Sequence, residues 1–346
     1  MRIAVVSPLF EDVPPKLYGG TERIVSYLTE ELVRQGQDVT LFASGASQTG
    51  SRLRTMCPRG LRLDPECVDP LAHHMLMLDH VIAAAAEFDV IHFNIDYLHF
   101  PAVRHLHLPA ITTLHGRLDG PDLSPLYRHF ADTPLVSISD AQRQPMPWAN
   151  WLATVHHGLP EDLYALQPGL GSYLAFLGRL SPEKRPDRAI SIARRAGIPL
   201  KIAAKVDPTN QAYFDTVLRP LIDGPDVEFI GEIGEAEKAD FLGNALAMLF
   251  PIDWPEPFGL VMIEAMACGT PVIAWPCGAV PEVIDDGISG FIVKNEEEAL
   301  KAIDKAMQFD RQRCRRVFEQ RFTAARMAGD YLATYRRLLE RDQPAL

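Results

Sequence analysis

The stretch Pro251-Ile252-Asp253-Trp254-Pro255-Glu256-Pro257-Phe258-Gly259-Leu260-Val261-Met262-Ile263-Glu264-Ala265-Met266-Ala267-Cys268-Gly269-Thr270-Pro271 says more about the fold than any other part of the chain. The apolar run Ala247 to Phe250 ahead of it reads as a buried strand, and Pro271 to Ala274 behind it as another. Between them a proline-rich turn opens onto a short apolar helix that Gly269 ends and Pro271 prevents from continuing. Strand, helix and strand in that order are the crossover unit of a parallel sheet. Gly259 carries no side chain at the helix start, so a phosphate can approach amides that the helix leaves unpaired, and the helix dipole favours the same anion.

Glu256 and Glu264 are eight positions apart in this stretch. Were the segment helical throughout, that spacing would be about 12 Å. Carboxylates that flank one glycosidic bond lie about 5 to 9.5 Å apart. The pair therefore suits the two ends of an extended ligand better than one reacting atom. A sugar nucleotide meets that demand, with sugar hydroxyls on one carboxylate, ribose hydroxyls on the other, and a diphosphate between them.

Three further segments sit between a strand and a helix, where ligands of open parallel sheets bind. In Phe176-Leu177-Gly178-Arg179-Leu180-Ser181-Pro182-Glu183-Lys184, Arg179 offers a planar fork for phosphate oxygens and Lys184 a mobile point charge, so together they can neutralise a leaving diphosphate. Two solvated surface cations are the alternative. Gly19 and Gly20, in Tyr18-Gly19-Gly20-Thr21-Glu22, let backbone amides approach a ligand or simply form a flexible turn. His115, directly after a strand and before Gly116, fits either a hydrogen bond to sugar or acceptor or a satisfied core position. The first turn lacks the G-x-G-x-x-G fingerprint of dinucleotide binding, which argues against a nicotinamide dehydrogenase. No histidine, including the pair His73 and His74, stands at ligand spacing with acids or cysteines, so no metal site is expected.

The same alternation of Val- and Ile-rich runs with amphipathic stretches extends over the whole chain. Strands are expected at Arg2 to Val6, Asp38 to Ala43, Val90 to Phe93, Ala110 to Leu114, Leu135 to Ile138 and Ala153 to His156. After a glycine- and proline-bearing linker between Gly158 and Gly171, a second series runs through Tyr173 to Leu177, Leu200 to Lys205, Val227 to Ile230, Ala247 to Phe250, Pro271 to Ala274 and Gly290 to Val293. Thr21 to Arg34 reads as a helix closed by Gly36, and helices finish the chain at Glu296 to Phe309, Arg311 to Phe322 and Ala324 to Arg341. Ala46 to Asp69 shows no clear period and reads as a long loop or insertion. The expected organisation is α/β, with two Rossmann-like parallel-sheet domains at 1–165 and 172–323 facing a central cleft, and a C-terminal helix in 324–346 crossing back to the first domain.

Composition narrows the partners. The 346 residues carry a formal net charge of -11, which argues against nucleic acid as the main partner. The five cysteines lack any C-x-x-C spacing, so neither a zinc site nor a disulfide framework is indicated. The N-terminal residues enter a strand pattern directly, and no apolar run approaches membrane-spanning length. A cytoplasmic protein is expected, with peripheral membrane contact left open. Trp148 and Trp151 near Arg143 read as partial core packing before a membrane-facing or sugar-stacking patch.

At these residues the chain resembles glycosyltransferase family 4, a large retaining family with the GT-B fold. The family's E-x7-E motif matches Glu256 to Glu264, its Gly-Arg-Leu-x-x-Glu-Lys segment matches Gly178 to Lys184, its glycine loop Gly19 and Gly20, and its strand-end histidine His115. The resemblance implies that Glu256 and the backbone at Phe258, Gly259 and Leu260 hold the donor sugar and diphosphate, while Glu264 holds the ribose. It further implies that Arg179 and Lys184 stabilise the departing nucleoside diphosphate, that Gly19, Gly20 and His115 face the reacting sugar and acceptor, and that Glu232 contacts the base. The expected reaction is metal-independent transfer, with retention, from a UDP- or GDP-sugar to an acceptor hydroxyl, without a further cofactor. A sugar-nucleotide epimerase and a nonenzymatic sugar-nucleotide-binding protein are the rivals. The first would need no acceptor and the second would show no turnover.

Overall fold

The computed structural model describes residues 1–17 and 19–341. The chain forms two compact units: Met1–Pro160 together with the chain from Ala324 onward, and Glu161–Thr323. Among the described residues each unit is built on one wholly parallel sheet.

The first sheet contains β1 (Arg2–Val6), β2 (Asp38–Ser44), β3 (Arg52–Cys57), β4 (Val90–Phe93), β5 (Ala110–Thr113), β6 (Leu135–Ser137) and β7 (Trp151–Thr154). Its order is β3-β2-β1-β4-β5-β6-β7. The strands read as continuous apolar runs because helices cover both faces. Ile3, Val5, Val90 and Ile111 are fully buried. The second sheet contains β8 (Tyr173–Arg179), β9 (Leu200–Lys205), β10 (Val227–Gly231), β11 (Ala245–Phe250), β12 (Val272–Ala274) and β13 (Gly290–Ile292), in the order β10-β9-β8-β11-β12-β13. In both sheets the order reverses once, between β1 and β4 and between β8 and β11. Loops leaving neighbouring strands part there and open a crevice at the carboxyl ends.

One sequence expectation is corrected. Ala46 to Asp69 is not a plain loop: it contains the edge strand β3, in register with β2 from Thr40 opposite Arg52, and a turn of 3-10 helix at Leu61–Leu63. β3 carries charges because it is an edge. Arg52 pairs with Asp38, and Arg54 pairs with Glu87 while lying over the rings of Phe42 and Phe88. The mixed face hides the period of two that would identify a strand.

The segment read as a linker belongs largely to the second unit. Arg315 donates to the carbonyls of Glu161 and Tyr164, and Tyr164 is buried. The C-terminal helix Ala324–Arg341 completes the first unit. Its buried Tyr331 and Tyr335 reach the sheet interior, where Tyr335 bonds His92 Nδ1 at 2.8 Å, His92 Nε2 bonds Thr113 at 2.8 Å, and Thr113 bonds Tyr331 at 2.8 Å. Among the described residues no helix is long and apolar enough to cross a membrane.

Candidate functional site

In the second unit β8 and β11 are adjacent, so the chains leaving their carboxyl ends emerge side by side. The chain after β8 turns through Pro182–Lys184, and the chain after β11 bends at Trp254 and Pro257 on its way to Gly259 and the helix Leu260–Ala267. They are tied together. The Asp253 amide donates to the Glu183 carbonyl at 2.9 Å, and Arg188 donates to Asp253 at 2.9 Å. The Glu256 carbonyl in turn accepts from the Ala279 amide at 2.9 Å.

This frame brings Lys184 and Glu256 into direct contact. Lys184 Nζ donates to Glu256 Oε2 and lies 4.3 Å from the centre of the Trp254 ring. Trp254 Nε1 donates to the same oxygen at 2.9 Å. Both charged side chains are mostly buried. Desolvation pushes the Lys184 ammonium below its usual range, partly offset by Glu256. Arg179 closes β8 and meets Glu183 only loosely, at 3.7 Å.

The helix Leu260–Ala267 begins at Gly259, whose φ of 84° is left-handed. A Cβ there would lie 2.7 Å from Met262 Cε and 3.3 Å from Glu256 Cγ, so glycine is required both for the turn and to leave Glu256 in place. The helix therefore starts four residues after Glu256, and the eight-residue spacing spans a turn followed by a helix rather than one helix. Phe258 is buried and anchors the turn against Phe322. Glu264, on the second turn, is 2% exposed. Its Oε1 accepts from Lys238 at 2.8 Å, and its Oε2 meets no hydrogen-bond partner among the described residues. A buried carboxylate oxygen left open in this way is costly unless a ligand donates to it.

Glu232 lies exposed just beyond β10, at the sheet edge and two strands from β8. Lys238 and Trp254 complete the site without standing out as site residues in the sequence. Lys238 meets Glu264 across 26 positions without any motif, whereas Trp254 stands in the quoted stretch two residues before Glu256, and its indole N–H was the available signal.

In the first unit the reversal between β1 and β4 holds a cavity of about 620 Å³. The loop after β1 contributes Pro8, Phe10, Gly19 and Gly20, the loop after β4 contributes Asn94 to Leu98, and the end of β5 contributes His115 and Gly116. Tyr18 lies outside the described residues. Gly19, at φ 137°, has Pro15 Cβ where its own side chain would begin, 2.8 Å away, and the helix Gly20–Arg34 starts directly after it. His115 Nε2 bonds Asn94 Oδ1 at 2.9 Å, and its ring stacks on His157 with centroids 5.4 Å apart. Burial pushes the His115 imidazolium down to about 4, so the ring is neutral and Nε2 carries the proton. His73 and His74 form no metal site. His74 Nε2 accepts from the Leu9 amide at 3.1 Å while Nδ1 donates to the Pro70 carbonyl at 2.7 Å, which fixes one neutral tautomer. Among the described residues no group of three His, Cys, Asp or Glu could hold a metal ion. Trp148 and Trp151 pack beside the cluster around Phe100 and Met146, with Arg128 4.4 Å from the Trp148 ring centre and Arg143 5.3 Å from that of Trp151.

Residues 18–192 match the profile of a family described as Glycosyltransferase Family 4, and residues 168–320 match that of Glycosyl transferases group 1. A D-inositol 3-phosphate glycosyltransferase of Mycolicibacterium smegmatis is 30% identical over 186 residues, which is 47% of this chain and 39% of that protein. The chain spans about half or less of the curated relatives it matches. Among solved structures, AviGT4, a glycosyltransferase involved in avilamycin A biosynthesis, superposes with a TM-score of 0.74 at 24% identity, covering 98% of both chains. HepE from Anabaena, in complex with UDP and glucose, superposes with a TM-score of 0.76 at 19% identity, covering 97% of this chain and all of that one. These structures share the GT-B architecture of two Rossmann-like domains.

Proposed function

The chain belongs to glycosyltransferase family 4, whose profile covers just over half of it, and from that premise we propose that it transfers a sugar from a nucleoside-diphosphate sugar to an acceptor hydroxyl with retention of configuration. The observation that carries the proposal is Glu264, a buried carboxylate with Lys238 on one oxygen and an open position on the other. Such a group is suited to accept from a ribose hydroxyl. Glu256, steadied by Lys184 and Trp254, accepts from hydroxyls of the donor sugar. The diphosphate is held by the amides at Phe258, Gly259 and Leu260, and Glu232 takes the base. UDP as the donor nucleotide is favoured by the UDP complex of HepE.

In this reaction the acceptor oxygen bonds to the anomeric carbon as the bond from that carbon to the phosphate oxygen breaks. The acceptor proton passes to the departing phosphate on the same face. Arg179 and Lys184 supply positive charge where negative charge develops, the largest effect these residues can exert on the rate. No metal or further cofactor is included, and the cytoplasm is the proposed compartment.

Thermal shift against UDP-, GDP- and ADP-sugars identifies the donor, because a ligand that binds only the folded chain raises its stability by mass action. Release of nucleoside diphosphate is then measured with and without alcohols. Acceptor-independent epimerisation, or binding without turnover on a broad acceptor panel, would overturn the assignment.

A further inference from the structure

The first-unit cavity carries information about the acceptor, and the inference drawn from it rests on the glycosyltransferase assignment above. The residues lining it include the carboxylates Glu22, Asp69 and Asp96, with Arg62 as their cationic counterpart. Arg62 is already engaged. Its Nη1 pairs with the buried Glu11 at 3.0 Å, and its guanidinium lies 5.3 Å from the Phe10 ring centre. Glu22 is buried, and both desolvation and Glu11 hold its carboxyl above the usual range. His74 adds no charge, since both its nitrogens are committed to backbone partners as a neutral ring.

Two helix N-termini reach the cavity and would favour an anion, yet each has a carboxylate of its own. Asp69 caps the helix Pro70–Ala83, accepting from the Leu71 amide at 3.0 Å, and Glu22 stands in the first turn of Gly20–Arg34. A phosphate entering here would meet the Asp69 carboxylate and find its best anchors taken, the Arg62 guanidinium by Glu11 and the Leu71 amide by Asp69. A neutral hydroxyl would not. Asn94 Nδ2 faces the Val6 carbonyl, which orients its Oδ1 toward His115 Nε2, so the His115 Nδ1 lone pair is the acceptor site of that ring.

Most of the remaining lining is apolar, and part of it is open to solvent. Phe10 is 39% exposed, Leu71 52% and Tyr97 37%. Met75, one helical turn beyond Leu71 and on the same side of its helix, is 54% exposed. We infer that the acceptor is an uncharged alcohol with an apolar flank, its hydroxyl end among Asn94, His115 and the Gly19-Gly20 turn and its alkyl or aryl portion on Phe10, Leu71 and Tyr97. A phosphorylated polyol, which the name of the mycobacterial relatives would suggest, is disfavoured by the same walls.

The test uses the full chain and three probes: octyl β-D-glucoside below its micellar concentration, methyl β-D-glucoside and glucose 6-phosphate. Binding is read by ligand-observed NMR, independently of turnover, and transfer is assayed with the best donor. The octyl glycoside should bind at least about tenfold more tightly than the methyl glycoside, the worth of burying an alkyl chain on this rim. Glucose 6-phosphate should not compete. Leu71→Asp should erase the octyl advantage and Leu71→Met should keep it, with the far-UV spectrum and melting curve of each variant confirming that it folds. Tighter binding of glucose 6-phosphate, equal binding of the two glycosides, binding of none, or indifference to Leu71→Asp overturns the inference. If nucleotide sugars bind and turn over while the phosphate wins, only the acceptor class is wrong. If no nucleotide sugar binds, the transferase assignment itself falls, and the NMR comparison still reads the cavity.

Discussion

Glu256 and Glu264 share a motif but differ in surroundings, and the difference divides their roles. Glu264 is anchored by Lys238 and keeps one oxygen open, so Glu264→Gln should weaken nucleotide binding by roughly ten- to a hundredfold, the range for a hydrogen bond to a charged acceptor. Glu256 has both Lys184 and Trp254 on one oxygen, and Glu256→Gln should act mainly on kcat. Equal effects of the two changes on donor affinity and on kcat would contradict the division. Trp254→Phe keeps the ring beneath Lys184 but removes the N–H that steadies Glu256, so kcat should fall about tenfold with little change in donor affinity. Lys238→Met leaves Glu264 buried without its cation and should cost about 3 to 5 kcal/mol, read as a lowered melting temperature. An unchanged melting temperature would mean that solvent or a rearranged neighbour compensates.

At the scale of elements, strands of unbroken apolar residues were legible because burial on both faces leaves no other composition. β1 and β4 fall where their Val- and Ile-rich runs begin and end. β3 was not legible, since an edge strand that pairs its arginines with Asp38 and Glu87 reads as loop. The helix after Gly259 was legible at both ends, from the proline-rich turn and Gly259 ahead of it and from Gly269 and Pro271 behind it, so that the approach from Glu256 through Pro257 is a turn and not helix. Lys184 and Glu256 each stand out in the sequence as site residues, while their mutual contact depends on the β8–β11 pairing. Gly259→Ala tests how tightly that approach is set. With φ at 84° and Glu256 Cγ 3.3 Å from the added methyl, the substitution should cost roughly 1 to 2 kcal/mol of stability and lower kcat as well. Full activity in Gly259→Ala would show that the turn can relax without moving Glu256.

At the scale of the molecule, the first unit contains several imidazoles that resist protonation. Burial pushes His92 and His99 down to about 3 and His115 to about 4, whereas in an unfolded chain each titrates near 6.5. The unfolded state therefore binds more protons as pH falls below 6.5. The stability contributed by these groups is complete above that value and is lost progressively toward pH 3. Melting temperature should drop between pH 7 and pH 5, and His92→Gln should flatten the slope by one proton, about 1.4 kcal/mol per pH unit. A melting temperature that is level or rises on acidification would refute this. His92 also ties the first unit's sheet to the C-terminal helix, through Tyr335, 243 positions away. The polypeptide is synthesised from one end, so when residue 160 leaves the ribosome the core of the first unit still lacks the helix that satisfies His92 and Thr113. That half must wait, incomplete, while the entire second unit is translated. A nascent chain stalled before residue 324 should be protease-sensitive in its first 160 residues and a better client for chaperones than the released protein.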